Sequence, residues 1–264
     1  MYRRNINFRK IGNTNIKCPI IGFGGAPIGN LFKNLNNKEA NLILEESQAN
    51  NINFYDTSPF YGYGLSEKRI GNFLKNISRN EFTISTKVGR YLVPELESKI
   101  NRGIFKGGLN FKPVIDYTYD GVMRSFEQSL IRLNLDYIDI CLIHDVDFFT
   151  HKKKFSYYFD QSIKGAYKAL LKLKEQKLIK AIGLGLNDAD AAVKFLNKRD
   201  FDLVLLAGRY TLLDQSAKEQ FFSTVKNKKV GVILAGIFNS GILAKNEKQS
   251  TYFYKKTPIK ITNK

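Results

Sequence analysis

The sequence is poor in residues that build disulfide or metal-bound scaffolds, and it has no long hydrophobic run. Among its 264 residues are two cysteines and no tryptophan. Cys18 and Cys141 lack the spacing of metal ligands and are too few for a disulfide framework, so we expect buried thiols and no metal site. The longest apolar stretches, such as FDLVLLAG and VGVILAGIF, fall short of the roughly 18 residues of a membrane-spanning helix, and polar residues follow Met1 where a signal core would stand. These absences predict a cytoplasmic protein that does not enter a membrane.

Acidic residues are also scarce, because 24 aspartates and glutamates face 42 lysines and arginines, for a formal charge of +18. The lysines are scattered along the chain and do not form one basic segment. We interpret the charge first as a solvated surface and second as a field that attracts anionic ligands. Nucleic-acid binding would have to rest on net charge alone and is not expected.

The sequence does contain a regular alternation of short strand-like runs and amphipathic helical patterns. Such alternation is typical of a parallel sheet covered by helices. The predicted strands cover residues 18–24, 52–57, 82–87, 137–144, 181–185, 202–208 and 230–236. The predicted helices cover residues 37–51, 65–76, 119–134, 163–177, 188–199 and 217–229. We therefore predict an α/β protein with the architecture of a (β/α)8 TIM barrel.

The glycine clusters favour this barrel over a doubly wound dinucleotide-binding sheet. The third glycine of a G-x-G-x-x-G fingerprint is replaced in the three clusters by Pro27, Glu67 and Asp188. Residues 6–18 predict a β-hairpin that turns at Gly12 and Asn13 and closes the bottom of the barrel.

Only seven strands are visible in the sequence. We therefore expect a single domain over residues 1–264, truncated after strand seven and lacking the strand-eight region. Residues 91–118 and 145–161 resemble insertions after strands three and four. In a barrel, such loops at the carboxyl ends of the strands build the substrate site.

Four polar residues lie at or just beyond the ends of successive strands, and a barrel would bring them to one mouth: Asp56, Tyr61, Lys87 and His144. Lys87 ends a buried strand and requires an anionic partner, for which Asp56 is the nearest candidate. A cation beside a phenol lowers its pKa toward the neutral range. The pattern predicts a relay in which Asp56 fixes Lys87, Lys87 tunes Tyr61 for proton transfer, and His144 polarises the reacting oxygen.

The motifs around these residues resemble those of the aldo-keto reductase superfamily. NFYDTSPFYGYGLSEKRIG, STKVG, SLIRLNLDYIDICLIH and AIGLG occur in the order typical of that family. The resemblance implies an enzyme, an NAD(P)-dependent oxidoreductase with the four residues as its catalytic groups. GFGGAPIGNLF, HDVD, LLAGRYTLLDQ and GIFNSGILA are similar to the aldose 1-dehydrogenase branch, which implies a sugar hemiacetal or aldehyde as substrate. Pyridoxal-type aldehydes remain open as alternatives.

The resemblance also implies a site for NADP or NAD. The residues it places against this cofactor are Gly25, Ala26, Asp56, Asn187, Tyr210, Phe238, Ser240 and Leu243. Tyr210 would stack on the nicotinamide. Ala207 and Gly208 stand where many family members have a glutamine, and the usual adenosine-binding segment is missing, so the sequence does not distinguish NAD from NADP. The alternative to an active enzyme is a catalytically weak remnant or nucleotide-binding module, and we expect a monomer or weak oligomer.

Overall fold

The protein is built on a central parallel sheet with helices packed on its outer face. The computed structural model describes residues 6–242, 251–257 and 261. The strands are β1 (Phe8–Lys10), β2 (Lys17–Pro19), β3 (Phe23–Gly24), β4 (Phe54–Asp56), β5 (Thr83–Val88), β6 (Arg90–Pro94), β7 (Phe111–Ile115), β8 (Ile138–His144), β9 (Ile179–Leu186), β10 (Leu203–Ala207), β11 (Gly231–Ala235), β12 (Thr251–Tyr252) and β13 (Lys255–Lys256). The helices are α1 (Asn37–Ala49), α2 (Leu65–Leu74), α3 (Tyr119–Leu133), α4 (Phe148–His151), α5 (Phe155–Gln161), α6 (Tyr167–Glu175), α7 (Ala189–Lys198) and α8 (Gln220–Lys228).

Seven of the strands form one sheet in the order β11-β10-β9-β8-β5-β4-β3. Every neighbouring pair is parallel, and successive strands of the sheet follow one another along the chain. This is the topology of a barrel wall. Within the described residues, the edge strands β3 and β11 of this sheet do not pair with each other. The barrel is therefore nearly, but not fully, closed. The predicted α/β barrel architecture is confirmed, with the sheet strands at the seven predicted places.

The N-terminal hairpin covers the bottom of this sheet, as the sequence predicts. Strands β1 and β2 pair antiparallel. Ile11 and Ile16 are buried with the side chains that fill the barrel interior. Gly12 has φ +49, and a Cβ there would come within 2.6 Å of the backbone nitrogen of Gly231. Only glycine allows the turn to approach the first residue of β11 so closely.

Capping residues explain where several helices begin. Asn36 and Glu39 form a capping box at the start of α1, in which each side chain accepts the other residue's backbone N–H. Thr118 accepts from the N–H of Gly121 at the start of α3, and Asp188 caps α7 in the same way. These caps hold the helices close to the strand ends that precede them.

Three stretches differ from the sequence prediction. The strand predicted over residues 18–24 is divided, because Cys18 belongs to the hairpin and the exposed Ile20 and Ile21 separate it from β3. The insertion over 91–118 holds most of the β6–β7 hairpin, whose strands pair antiparallel in a separate two-stranded sheet. The insertion over 145–161 folds into α4 and α5, and α5 continues into α6 through a π-helical turn.

Both cysteines are buried and unpaired, as predicted. Burial raises the pKa of the Cys18 thiol to about 12, so it is neutral at physiological pH. In the described ranges, no helix is both long enough and apolar enough to cross a membrane. The described residues also contain no group of three or more histidine, cysteine, aspartate or glutamate side chains arranged to hold a metal ion.

Candidate active site

The four predicted catalytic side chains converge at the carboxyl ends of three neighbouring strands. Asp56 ends β4, Lys87 lies one residue before the end of β5, and His144 ends β8. These strands are adjacent in the sheet, so their carboxyl ends open at one mouth. Tyr61 follows in the turn between β4 and α2. Gly62 has φ +62 and lies against the backbone of Gly29, which fixes this turn over the barrel.

Lys87 and Asp56 form a buried ion pair. The Lys87 Nζ donates to Asp56 Oδ2 at 2.7 Å and to the carbonyl oxygen of Thr57 at 2.8 Å. The lysine side chain is 1% exposed and the aspartate side chain 12%. The second carboxylate oxygen of Asp56, Oδ1, is buried without a hydrogen-bond partner among the described residues. The ion pair therefore holds the Lys87 ammonium in place, and Asp56 Oδ1 remains an unpaired hydrogen-bond acceptor in the described part of the chain.

Tyr61 lies directly beside this ammonium. The Lys87 Nζ is 4.9 Å from the centre of the Tyr61 ring, and the ring meets that of His144 edge to face at 5.9 Å. Burial raises the pKa of Tyr61 well above its usual value, and the charges of Asp56 and Asp145 add to this effect, while Arg90 opposes it. The sequence predicts the opposite direction, because it reveals the cation but not the desolvation or the two nearby carboxylates. Tyr61 is therefore a neutral phenol at physiological pH.

His144 is held as a neutral imidazole. Its Nδ1 lies 3.1 Å from the Ser58 hydroxyl, which also accepts the backbone N–H of Phe60. Burial lowers the pKa of His144 well below its usual value, and Arg90 and Lys87 lower it further. If the Ser58 O–H donates to Nδ1, the ring proton is on Nε2. That tautomer supplies a hydrogen-bond donor beside Tyr61.

A second polar group adjoins these residues. His144 Nε2 lies 3.4 Å from Asp145 Oδ2, and Arg90 Nη2 lies 3.2 Å from the same oxygen. The other oxygen, Oδ1, accepts from the side-chain amide of Asn187 at 3.0 Å. Burial raises the pKa of Asp145 in spite of the nearby Arg90. Asp147, two residues further along, caps α4 by accepting the backbone N–H of Thr150.

Two cavities meet at Tyr61. The larger has a volume of about 440 Å³ and includes Asp56 in its wall, while the smaller, of about 280 Å³, includes Lys87 and His144. Tyr61 and Asn187 line both. The phenol therefore lies between two spaces that can hold two reactants side by side.

Most residues predicted to contact the cofactor line the larger cavity. They are Gly25, Ala26, Asp56, Asn187, Phe238 and Ser240. Tyr210 does not line it, because its ring packs edge to face on Phe222 of α8 at 4.8 Å. Leu243 lies outside the described residues. The structure thus brings six of the eight predicted residues to one cavity.

The larger cavity carries polar groups that fit a dinucleotide. Asn239 is 3% exposed, and neither its Oδ1 nor its Nδ2 has a hydrogen-bond partner among the described residues. Buried unpaired amide atoms are costly unless a ligand satisfies them. Together with Asp56 Oδ1 they offer donors and acceptors along the wall, so the residues present fit the carboxamide and phosphate groups of NAD or NADP.

Sequence reasoning missed three residues at this mouth: Arg90, Phe253 and Tyr254. Phe253 lies over the Arg209 guanidinium at 3.9 Å and meets Phe149 edge to face at 5.0 Å. Tyr254 lines both cavities, and burial raises its pKa. The only sequence signal for the last two is the aromatic run TYFY, which has no strand or helix pattern to place it.

Comparison with known proteins assigns the chain to a family. The sequence model of the Aldo/keto reductase family matches residues 20–262. The chain belongs to the aldo/keto reductase family. Membership makes it an NAD(P)-dependent oxidoreductase, which confirms the enzyme class and the family that the motifs predict.

Two relatives in the aldo/keto reductase family share 36% of their aligned residues with this chain. Pyridoxal 4-dehydrogenase of Microbacterium luteolum aligns over 89% of this chain and 72% of its own length. D-threo-aldose 1-dehydrogenase of a Pseudomonas species aligns over 93% and 74%. The chain therefore spans about three quarters of these relatives.

A solved aldo/keto reductase structure shows the same fold. The holo form of the enzyme AKR11C1 from Bacillus halodurans superposes with a TM-score of 0.71 and 22% identity, covering 94% of this chain and 74% of that one. This likeness supports the barrel architecture.

Proposed function

We propose that this protein transfers hydride between NAD(P) and a sugar, and that it oxidises the anomeric carbon of a free aldose to a lactone. The observation that carries the proposal is the convergence of Asp56, Lys87, Tyr61 and His144 where two cavities meet. The two relatives named for pyridoxal and for D-threo-aldoses support a substrate with an aldehyde or hemiacetal carbon.

The proposed proton carrier is Tyr61. In the oxidation its phenolate oxygen accepts the proton of the anomeric hydroxyl, and in the reduction its neutral hydroxyl returns that proton. Lys87, fixed by Asp56 at 2.7 Å, places a positive charge beside the ring and stabilises the phenolate when it forms. The nicotinamide, when bound in the larger cavity, supplies or takes up the hydride.

His144 has the proposed role of orienting the reacting oxygen. Its neutral imidazole can donate from Nε2, and its ring is fixed by Ser58 on one side and by Tyr61 on the other. The Tyr117 hydroxyl donates to the His144 carbonyl oxygen at 2.7 Å and holds the end of β8 in place. A donor held in a water-poor site stabilises developing negative charge on oxygen more strongly than it would in water.

The cofactor proposal assigns the larger cavity to the nicotinamide end. Gly25 and Ala26 would form its floor, Asn187 would meet the carboxamide, and Phe238, Ser240 and the unpaired amide of Asn239 would meet the phosphates. A stacking role for Tyr210 has no support, because its ring packs on Phe222 of α8 and does not line the larger cavity. A single domain, a cytoplasmic location and a monomeric or weakly oligomeric state remain predictions.

The proposal is tested by incubating the purified protein with NAD or NADP and a panel of aldoses, together with pyridoxal, while absorbance of the reduced nicotinamide is followed. We expect turnover of at least one aldose. Micromolar cofactor binding by calorimetry with no turnover of any aldose or aldehyde would favour a nucleotide-binding module instead. Turnover of pyridoxal alone would assign the other substrate class.

The raised pKa of Tyr61 predicts that kcat depends strongly on pH for the oxidation but not for the reduction. Below its pKa, the phenolate fraction of a tyrosine increases tenfold with each pH unit, so log kcat for oxidation should rise with a slope of about +1 between about pH 7 and about pH 9. Reduction uses the neutral phenol and should be nearly independent of pH over that range. Steady-state kinetics at saturating substrate in both directions measure this. A plateau in the oxidation profile already near neutrality would show that another group accepts the proton.

A further inference from the structure

Arg90 is a buried arginine beside the reacting groups whose hydrogen bonds are incomplete. It is the first residue of β6, its side chain is 6% exposed, and it lines the smaller cavity next to Lys87 and His144. Nη2 contacts Asp145 at 3.2 Å. Nη1 is buried and has no hydrogen-bond partner among the described residues. An unsatisfied donor of a charged group is costly to bury, which points to a ligand oxygen as its partner.

The guanidinium is fixed in its position by its neighbours. It stacks on the ring of Phe60 at 4.8 Å, and the carbonyl oxygen of Arg90 accepts the Ser125 hydroxyl at 2.8 Å. Asp145 in turn is held by Asn187 at 3.0 Å. Because the Phe60 ring and the Asp145 carboxylate hold the guanidinium, Nη1 presents a preformed donor.

The charges around the cavity favour a neutral partner over an anion. The cations Lys87 and Arg90 are each paired with a carboxylate, Asp56 and Asp145. His144 is neutral, because burial lowers its pKa well below the usual value. Among the described residues, the wall therefore has no unpaired positive charge for a carboxylate or phosphate of the substrate. A hydroxyl oxygen satisfies Nη1 without adding a negative charge.

The position of Arg90 relative to His144 indicates which hydroxyl is involved. His144 Nε2, Asp145 Oδ2 and Arg90 Nη2 follow one another with separations of 3.4 and 3.2 Å. If His144 holds the oxygen on the reacting carbon, the arginine fork lies beside the neighbouring carbon of the substrate. We propose that Arg90 Nη1 donates to the hydroxyl on the carbon adjacent to the reacting one, and so makes the enzyme select neutral 2-hydroxy aldoses. This inference rests on the proposed function.

The test removes the Arg90 guanidinium and the substrate hydroxyl, each alone and both together. Wild type, Arg90→Met and Arg90→Lys are assayed with an aldose and its 2-deoxy counterpart, and thermal melting confirms that each variant is folded. For wild type, kcat/KM should fall about 10- to 100-fold when the hydroxyl is removed, as expected for a hydrogen bond from a charged donor. For Arg90→Met the same change of substrate should cost less than about threefold. Arg90→Lys keeps the charge but loses the planar fork and should fall between the two.

Arg79→Met is the matched control. Arg79 is also paired with an aspartate, Asp139 at 2.7 Å, but it lies outside the lining of the two cavities that meet at Tyr61. This variant should keep the wild-type preference for the 2-hydroxy sugar. Equal discrimination by wild type and Arg90→Met would overturn the assignment, as would a uronate that is turned over better than the neutral aldose.

Calorimetry separates failure of this inference from failure of the proposed function. Binding of the aldose and its 2-deoxy counterpart is measured without cofactor for wild type and Arg90→Met, so that no turnover can occur during the titration. Absence of any sugar oxidation by wild type would refute the proposed function. Preferential sugar binding that disappears in Arg90→Met would still support the role of Arg90. Equal binding of both sugars by wild type would refute it.

Discussion

Replacing Tyr61 by phenylalanine is expected to lower kcat by about 10²- to 10⁴-fold, the range typical of a lost general acid or base. The change removes a single oxygen and keeps the ring, which packs against His144 at 5.9 Å and beside the Lys87 ammonium at 4.9 Å. The cavities should therefore keep their shape. Steady-state kinetics with the best aldose of the panel measure the loss, and calorimetry should show NAD(P) affinity within about threefold of wild type.

Tyr63→Phe provides the control for this experiment. Tyr63 lies in the same turn, but its hydroxyl donates to the Asn101 carbonyl at 2.8 Å and it is not part of either cavity wall. Loss of that hydrogen bond should cost about 1 kcal/mol of folding free energy and leave kcat near the wild-type value. If Tyr61→Phe retained a kcat close to that of Tyr63→Phe, the phenol would not be the proton carrier.

Replacing Lys87 by methionine is expected to damage both stability and activity. The substitution leaves the Asp56 carboxylate buried without its ammonium partner, and breaking a buried ion pair from one side destabilises proteins by about 3–5 kcal/mol. The Lys87 side chain is 1% exposed, so water cannot readily replace the lost charge. Urea unfolding monitored by circular dichroism measures the first effect. Activity should fall at least as far as in Tyr61→Phe, because the phenolate loses its stabilising charge.

The double variant Asp56→Asn with Lys87→Met separates the two effects. Removing both charges eliminates the unpaired carboxylate, so most of the lost stability should return, while activity should not. If activity recovered together with stability, the ion pair would be only a structural support for the strand ends. Restored stability without activity would assign Lys87 a direct role beside Tyr61.

The sequence predicts much of the site because most of the catalytic residues lie at the ends of strands. Asp56, Lys87 and His144 end or nearly end strand-like segments, and parallel strands in a barrel direct their carboxyl ends to one mouth. The seven strands and the bottom hairpin follow from local patterns in the same way. The division of residues 18–24 into β2 and β3 was missed, since both halves are apolar and only the exposure of Ile20 and Ile21 separates them.

The groups that the sequence does not reveal are contributed by segments distant along the chain. Arg90 follows the strand-end lysine by three residues, yet nothing local shows that it is buried against Phe60 and Asp145. Phe253 and Tyr254 come to the mouth from the C-terminal part of the chain. The pKa of Tyr61 is predicted in the wrong direction for the same reason, since its largest cause is burial by residues that are not its sequence neighbours.

The sequence by itself determined the order of strands and helices and therefore which residues meet at the barrel mouth, because hydrophobic periodicity and strand direction are local properties of the chain. Only the tertiary structure decided how the site is solvated and charged: the neutral Tyr61 and His144, the two adjoining cavities and the unpaired Nη1 of Arg90. Desolvation and electrostatic interaction sum over all neighbours in space, and those neighbours come from strands and loops that the fold brings together.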